Sequence, residues 1–244
     1  MSDVAIETKN LSKSYDSKLA LKKISLMVKS GEVFGLLGHN GAGKTTIVNI
    51  LTTLLEPTDG RAKVNGFDIT NEADDARRSI GYLPENVQFY DNLSLFENLQ
   101  FFARLSGVAS PEKRIKDVLK FLNFSGHEQE RLATFSKGMR QRVGIAQAII
   151  HEPKVLFLDE PTSGLDPQGV KILRDTTLKL NKELGMTIFM NTHLLAEVTK
   201  TCTSIGILRD GELIYHDTLK QTLKSFHDQP SLEDIYLKIE AETS

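Results

Sequence analysis

Gly38-His39-Asn40-Gly41-Ala42-Gly43-Lys44-Thr45 is the stretch that decides how this chain folds. It fits the pattern G-x-x-x-x-G-K-[ST]. It lies between the apolar run Val33-Phe34-Gly35-Leu36-Leu37 and a helical period over 44–55, with Ile47, Ile50, Leu51 and Leu54 on one face. Strand, glycine loop and helix in that order make an anion site. The glycines let consecutive N–H groups turn inward, and the helix adds its unsatisfied N-terminal donors and the positive end of its dipole. The expected ligand is a phosphate chain, cradled by Gly38, His39, Asn40, Gly41, Ala42, Gly43, Lys44, Thr45 and Thr46. Lys44 is placed for the β- and γ-phosphates and the Thr45 hydroxyl for Mg2+.

Outward from the loop, short aliphatic runs followed by Gly or Pro and then by a helical pattern recur over 32–208, which predicts an α/β chain. Val155-Leu156-Phe157-Leu158 is apolar at every position, as a strand covered on both faces of a parallel sheet must be. Thr187-Ile188-Phe189-Met190 has the same texture. Ligands gather at the carboxyl ends of such strands, and the first of these runs ends in Asp159-Glu160. Asp159 suits the metal, and Glu160 suits the polarisation of an attacking water. Over 86–136 the strands give way to two helical patterns, one opened by the capping box Ser94-x-x-Glu97 and one by Ser110-Pro111. A helical lobe inserted into the sheet domain is expected there. Gly211-Glu212 separates the apolar runs 205–208 and 213–215 as a hairpin turn would. A last helix is expected from Ser231, with Leu232, Ile235, Tyr236 and Ile239 as its apolar stripe.

The 244 residues, 40% hydrophobic and 25% charged, can bury a sizeable core, which excludes low complexity and disorder. Thirty Lys and Arg against 32 Asp and Glu leave a formal charge of −2, so no whole-chain basic field draws the protein onto nucleic acid or anionic lipid. The absence of Trp points the same way. Cys202, the single cysteine, reads as a small buried apolar residue in a reducing cytosol. The histidines are scattered, so spacing gives no copper-binding cluster. Met1-Ser2-Asp3-Val4 lacks the basic stretch of a signal peptide, and no apolar run approaches the roughly 18 residues of a span, so the chain is not expected to cross a membrane by itself.

With these pieces in order, the sequence resembles an ATP-binding-cassette ATPase over nearly its whole length. Phe135-Ser136-Lys137-Gly138-Met139-Arg140-Gln141-Arg142 stands in the place of that family's signature motif, Ser163-Gly164-Leu165-Asp166 looks like its D-loop, and Thr192-His193 looks like its switch histidine. Tyr15 matches the aromatic residue that stacks on adenine. The resemblance implies an α/β phosphate-loop sheet core with an inserted α-helical subdomain and N-terminal antiparallel strands. It implies a core over 1–85 and 137–215, a helical subdomain over 86–136 and a tail over 216–244. ATP and Mg2+ are the implied ligands, with Thr45, Glu85 and Asp159 toward the metal and Glu160, His193 and Lys44 as the catalytic set. It further implies a dimer, with itself or with a related ATPase subunit, in which Ser136 and the Gly138 N–H of one copy close over the γ-phosphate held by the other, beside Asp166. The whole would sit on the cytoplasmic face of a membrane and drive a separate integral-membrane permease, with no nucleic acid as partner. A soluble cassette ATPase acting on ribosomes or DNA, and an ATP-gated regulatory subunit with little hydrolysis, are the alternatives.

Some positions depart from the family pattern. Glu85, in Gly81-Tyr82-Leu83-Pro84-Glu85, replaces the usual Gln and adds a negative charge near the triphosphate, while Lys137 and Met139 replace the usual Gly and Gln. Pro84-Glu85-Asn86, Ser136-Lys137-Gly138-Met139 and the tail Ser231-Leu232-Glu233-Asp234-Ile235-Tyr236 look like the stand-alone ATPase subunits of ABC-2-type exporters. Among these, Gly38-His39-Asn40 and the stretches 81–90 and 136–147 resemble the ATPase group linked to copper-site assembly in nitrous-oxide reductase. The permease is expected to dock near 85–95, where Val87, Phe89 and Tyr90 form an apolar cluster.

Overall fold

The computed structural model describes residues 3–16 and 18–242, and among these the strands form two sheets. The first is antiparallel, in the order β2-β1-β4-β5, from β1 (Val4–Tyr15), β2 (Lys18–Lys29), β4 (Asp59–Val64) and β5 (Phe67–Asp68). The second has the order β10-β9-β3-β8-β7-β6. It comprises β3 (Val33–Leu37), β6 (Ile80–Leu83), β7 (Val155–Asp159), β8 (Thr187–Asn191), β9 (Ser204–Arg209) and β10 (Glu212–Thr218). All neighbours in it are parallel except the β9–β10 hairpin. The expected α/β core, inserted helical lobe and antiparallel N-terminal strands are what the chain forms.

Strand periodicity explains why the central runs are apolar throughout. Phe34, Leu36, Val155, Phe157, Phe189 and Leu208 face one side, where they pack on Ile47, Ile50 and Leu51 of α1 (Lys44–Leu51) and on the inner face of the antiparallel sheet. Their neighbours Val33, Leu37, Leu156, Leu158, Ile188 and Met190 face the other side, in a core shared with the helical lobe. Helix α1 is shorter than the expected 44–55. The Thr52 hydroxyl bonds back to the Val48 carbonyl at 2.8 Å, Thr53 turns left-handed at φ 63°, and Leu54 is 64% exposed instead of facing the core.

A short helix α2 (Ala73–Ser79), which the periodicity did not announce, leads into β6. The lobe holds α3 (Leu95–Leu105) and α4 (Pro111–Phe121). The capping box is present: Ser94 Oγ accepts the Glu97 N–H at 3.2 Å and Glu97 Oε2 accepts the Ser94 N–H at 2.8 Å. Lobe and sheet are tied through helix ends. Arg142 of α5 (Lys137–Ala148) donates to the Leu122 and Asn123 carbonyls at 2.9 and 2.8 Å, and Lys179 of α6 (Pro167–Leu184) donates to the Phe121 carbonyl at 2.6 Å. Cations at the carboxyl end of α4 complement its dipole. Helices α7 (Leu195–Thr201), α8 (Leu219–Ser225) and α9 (Leu232–Glu242) complete the fold, the last starting where expected and burying Leu232, Ile235 and Ile239.

Candidate nucleotide site

The loop leaves the carboxyl end of β3 and turns into α1 at Gly43, whose φ is 107°. A Cβ at Gly43 would stand 2.8 Å from the Ala20 carbonyl oxygen, and one at Gly38 would stand 2.3 Å from that of Leu208, so β2 and β9 press the loop into shape. No side chain caps α1 and no acidic residue stands in its first turn. The donors at this helix start are therefore left for a ligand, and the dipole favours an anion. Lys44 is buried, and its ammonium donates to the Gly38 carbonyl at 2.7 Å and the His39 carbonyl at 3.2 Å. Burial holds its pKa below the usual lysine value, against the opposing pull of Glu160 and Asp159.

The parallel pairing of β7 with β8 sets Asp159 opposite Asn191. Asp159 Oδ1 accepts the Asn191 amide at 2.6 Å, and its Oδ2 accepts the Tyr82 hydroxyl at 3.5 Å. Burial pushes the Asp159 carboxyl above its usual range; the Asn191 bond opposes that, and the charge of Glu85 adds to it. Burial, with the Asp159 charge beside it, pushes the Tyr82 phenol up to about 12. Glu160 takes φ 45°, a left-handed conformation that non-glycine residues seldom adopt. Its N–H donates to the Asn191 carbonyl at 3.1 Å, its carbonyl accepts the Ser163 N–H at 3.0 Å, and its Oε2 lies 2.8 Å from His193 Nδ1. The Ser163 hydroxyl donates to Glu85 Oε1 at 3.2 Å.

These groups converge on a cleft of about 680 Å3, lined by Tyr15, Asn40, Gly41, Gly43, Lys44, Thr45, Thr46, Glu85, Glu160 and His193. Gly38, His39 and Ala42 shape it from behind, the first two as acceptors for Lys44 and the third through its carbonyl, which takes the Gly211 N–H at 3.0 Å. Ser136, Gly138 and Asp166 are elsewhere, lining a separate cavity of about 340 Å3. Ser136 Oγ caps α5 by accepting the Met139 N–H at 3.3 Å, and Asp166 Oδ1 caps α6 by accepting the Gly169 N–H at 2.8 Å. The 87–90 cluster also divides. Val87 and Phe89 pack on the lobe core, whereas Tyr90 is exposed and meets Phe101 edge-on with ring centres 5.2 Å apart.

Sequence reasoning missed Lys18, Ala20, Lys22 and Asp210, which also line the cleft, and Asn191, whose side chain holds the Asp159 carboxylate and the Glu160 backbone N–H. Asn191 did carry a signal, a polar residue closing an apolar strand just before Thr192-His193. The others are brought in by tertiary contact alone.

A glycine loop with free helix donors, a buried lysine and two strand-end carboxylates define a phosphate-loop nucleoside triphosphatase. The chain belongs to the ABC transporter family, whose sequence model matches residues 21–163. Over 212 residues it is 39% identical to the bacitracin transport ATP-binding protein BcrA of Enterococcus faecalis, spanning 87% of this chain and 68% of that protein. A solved structure of an ATP binding subunit of an ABC transporter superposes with a TM-score of 0.85 and 32% identity, over 96% of this chain and 99% of that one. The dimeric post-hydrolysis ATP-binding cassette MJ0796, bound to ADP and Pi, superposes with a TM-score of 0.78 and 27% identity, over 88% and 98%. The chain is thus an ATP-binding ATPase subunit of the ABC transporter family. Among the described residues no helix is long and apolar enough to cross a membrane, and no group of three or more His, Cys, Asp or Glu side chains is arranged to hold a metal ion.

Proposed function

We propose that this subunit hydrolyses ATP as a dimer on the cytoplasmic face of a membrane and drives a separate permease of the ABC-2 export type. One observation carries the dimer. The phosphate loop and the Ser136–Gly138 helix start, both suited to phosphate, line different cavities of one chain, so a second copy is needed to bring them to one nucleotide. Asp166 would face that junction from the start of α6. The relative named for bacitracin transport supports the transporter reading.

In this reading the triphosphate lies against the loop N–H groups and Lys44, with the base beside Tyr15. The Thr45 hydroxyl and the Asp159 and Glu85 carboxylates are hard oxygen donors of the kind Mg2+ takes together with phosphate oxygens. Bound there, Mg2+ would neutralise charge on the β- and γ-phosphates. Glu160 accepts the proton of the attacking water. His193, bonded to the Glu160 carboxylate, keeps it aimed into the cleft and senses whether the γ-phosphate is present. The permease contact lies on the exposed Tyr90–Phe101 pair at the lobe surface.

The test is purification of the Glu160→Gln protein from its native membranes in mild detergent with ATP and Mg2+. A single multi-span protein recovered at roughly one-to-one supports the transporter reading. Recovery from the soluble fraction, alone or with ribosomes or nucleic acid, refutes it.

A further inference from the structure

Arg140 stands in α5 two residues past Gly138, and the chemistry above leaves it without a task. Its Nη1 donates to Asp91 Oδ1 at 2.6 Å and to the Leu132 carbonyl at 3.0 Å, and its guanidinium carbon lies 5.4 Å from the centre of the Phe89 ring. Its backbone N–H donates to the Ser136 carbonyl at 2.9 Å. One residue therefore holds both ends of the segment 132–136 that delivers the chain to α5. Asp91 holds the middle, where its carbonyl accepts the Ala133 N–H at 3.1 Å.

That segment is a short 3-10 turn, Leu132–Thr134, followed by extended Phe135 and Ser136. So short a turn has few bonds of its own, and its course is set by its neighbours. The Leu132 N–H donates to the Leu93 carbonyl at 3.2 Å, and the Leu132 carbonyl is shared between the Phe135 N–H, at 3.1 Å, and Arg140. The Asp91 side chain is 57% exposed, so water screens the ion pair and it adds little to the stability of the fold. What it adds is direction. A short charge-assisted bond keeps the guanidinium turned to the Leu132 carbonyl, and the Ser136 hydroxyl and Gly138 N–H ride on the turn so fixed. Glycine weakens a helix, yet a Cβ at Gly138 would meet nothing within 4 Å in this chain, so the space there is kept for a group from outside it.

We propose that Arg140 is a positioning residue for closure over the nucleotide: with Asp91, it clamps the 132–136 segment so that the Ser136–Gly138 helix start is already set when the second copy brings its triphosphate. The inference rests on the dimer reading given above. It assigns Arg140 a role through Ser136 and Gly138, with no contact of its own to the phosphates.

The test uses the full chain carrying Glu160→Gln, so that ATP-bound dimers persist, and follows two quantities. One is MgATP affinity at a dilution where the protein is monomeric; the other is ATP-dependent dimerisation by light scattering. Arg140→Gln should leave the first within about 1.5-fold of its parent and weaken the second about tenfold. Asp91→Asn keeps an oxygen for the guanidinium and loses the charge, so dimerisation should weaken about threefold. The double variant should be no weaker than Arg140→Gln alone, because the two residues act as one clamp. Arg140→Lys, whose ammonium still reaches an acceptor, should fall between parent and Arg140→Gln. Dimerisation of Arg140→Gln within about twofold of its parent overturns the proposal, as do additive effects of the two substitutions. Monomer affinity that falls in step with dimerisation overturns it too, since that marks a general loosening of the fold. A Glu160→Gln parent that binds MgATP and stays monomeric overturns the dimer reading itself.

Discussion

Helices α1 and α5 both open with a lysine, Lys44 after Gly43 and Lys137 after Ser136, yet their starts are built in opposite ways. The start of α1 carries no cap, and its lysine is buried among loop carbonyls. The start of α5 is capped by its own serine, and Lys137 is exposed. An uncapped helix start holds its donors ready for a ligand at a cost to the unliganded fold, whereas a capped one is satisfied until something better arrives. In the proposed dimer the first holds the triphosphate within one chain, and the second closes over it from the other copy.

The strongest way to break this contrast is Lys44→Ala, which should lower MgATP affinity by about a hundredfold because two charge-assisted contacts to phosphate are lost; equilibrium binding reads it. Next comes Asn191→Leu. It removes the side-chain bonds to the Asp159 carboxylate and the Glu160 N–H and leaves the main-chain bond to Glu160, so kcat should fall about tenfold while MgATP affinity changes little. Ser136→Ala sharpens the contrast from the other side. Nucleotide binding to the monomer should stay as it is, ATP-dependent dimerisation followed by light scattering should weaken about tenfold, and the lost cap should lower stability by about 1 kcal/mol.

The smallest effect lies at the far end of α5. His151 Nε2 bonds the Ile80 carbonyl at 2.8 Å, while its Nδ1 is buried without a partner. Burial holds its pKa below the usual histidine value of 6.5. The unfolded chain therefore takes up the proton first: this group costs nothing well above 6.5, and its penalty grows as pH falls from there through the lower folded value. Denaturant midpoints measured from pH 8 to 5 should fall for the wild type and flatten for His151→Gln.

The parts of the molecule most legible in the sequence are those fixed by local periodicity and by backbone chemistry. The run 33–37, the glycine loop, the strand ending in Asp159-Glu160 and the Ser94 capping box each specify themselves within about ten residues. What escaped has a longer reach. Thr53 ends α1 early because a left-handed turn must return the chain to β4, and periodicity over 44–55 is blind to that turn. Asp210 and Lys22 reach the cleft because the β9–β10 turn bonds to β2, the Lys22 N–H meeting the Gly211 carbonyl at 2.7 Å. The apolar texture of 87–90 read as one patch, whereas Val87 and Phe89 turn inward and Tyr90 outward. Texture marks the cluster without assigning its faces.

The backbone of Glu160 sets a conflict between durability and turnover. At φ 45° a glutamate pays in conformational strain for holding its carboxylate in the cleft, whereas glycine and asparagine occupy that region with ease. The substitutions that would relax this position most are those that remove the base. A lineage selected for heat resistance alone would drift toward a tougher protein that still grips nucleotide and no longer cleaves it. Under the proposed role of Glu160 as base, the strain at this position is the cost of keeping hydrolysis.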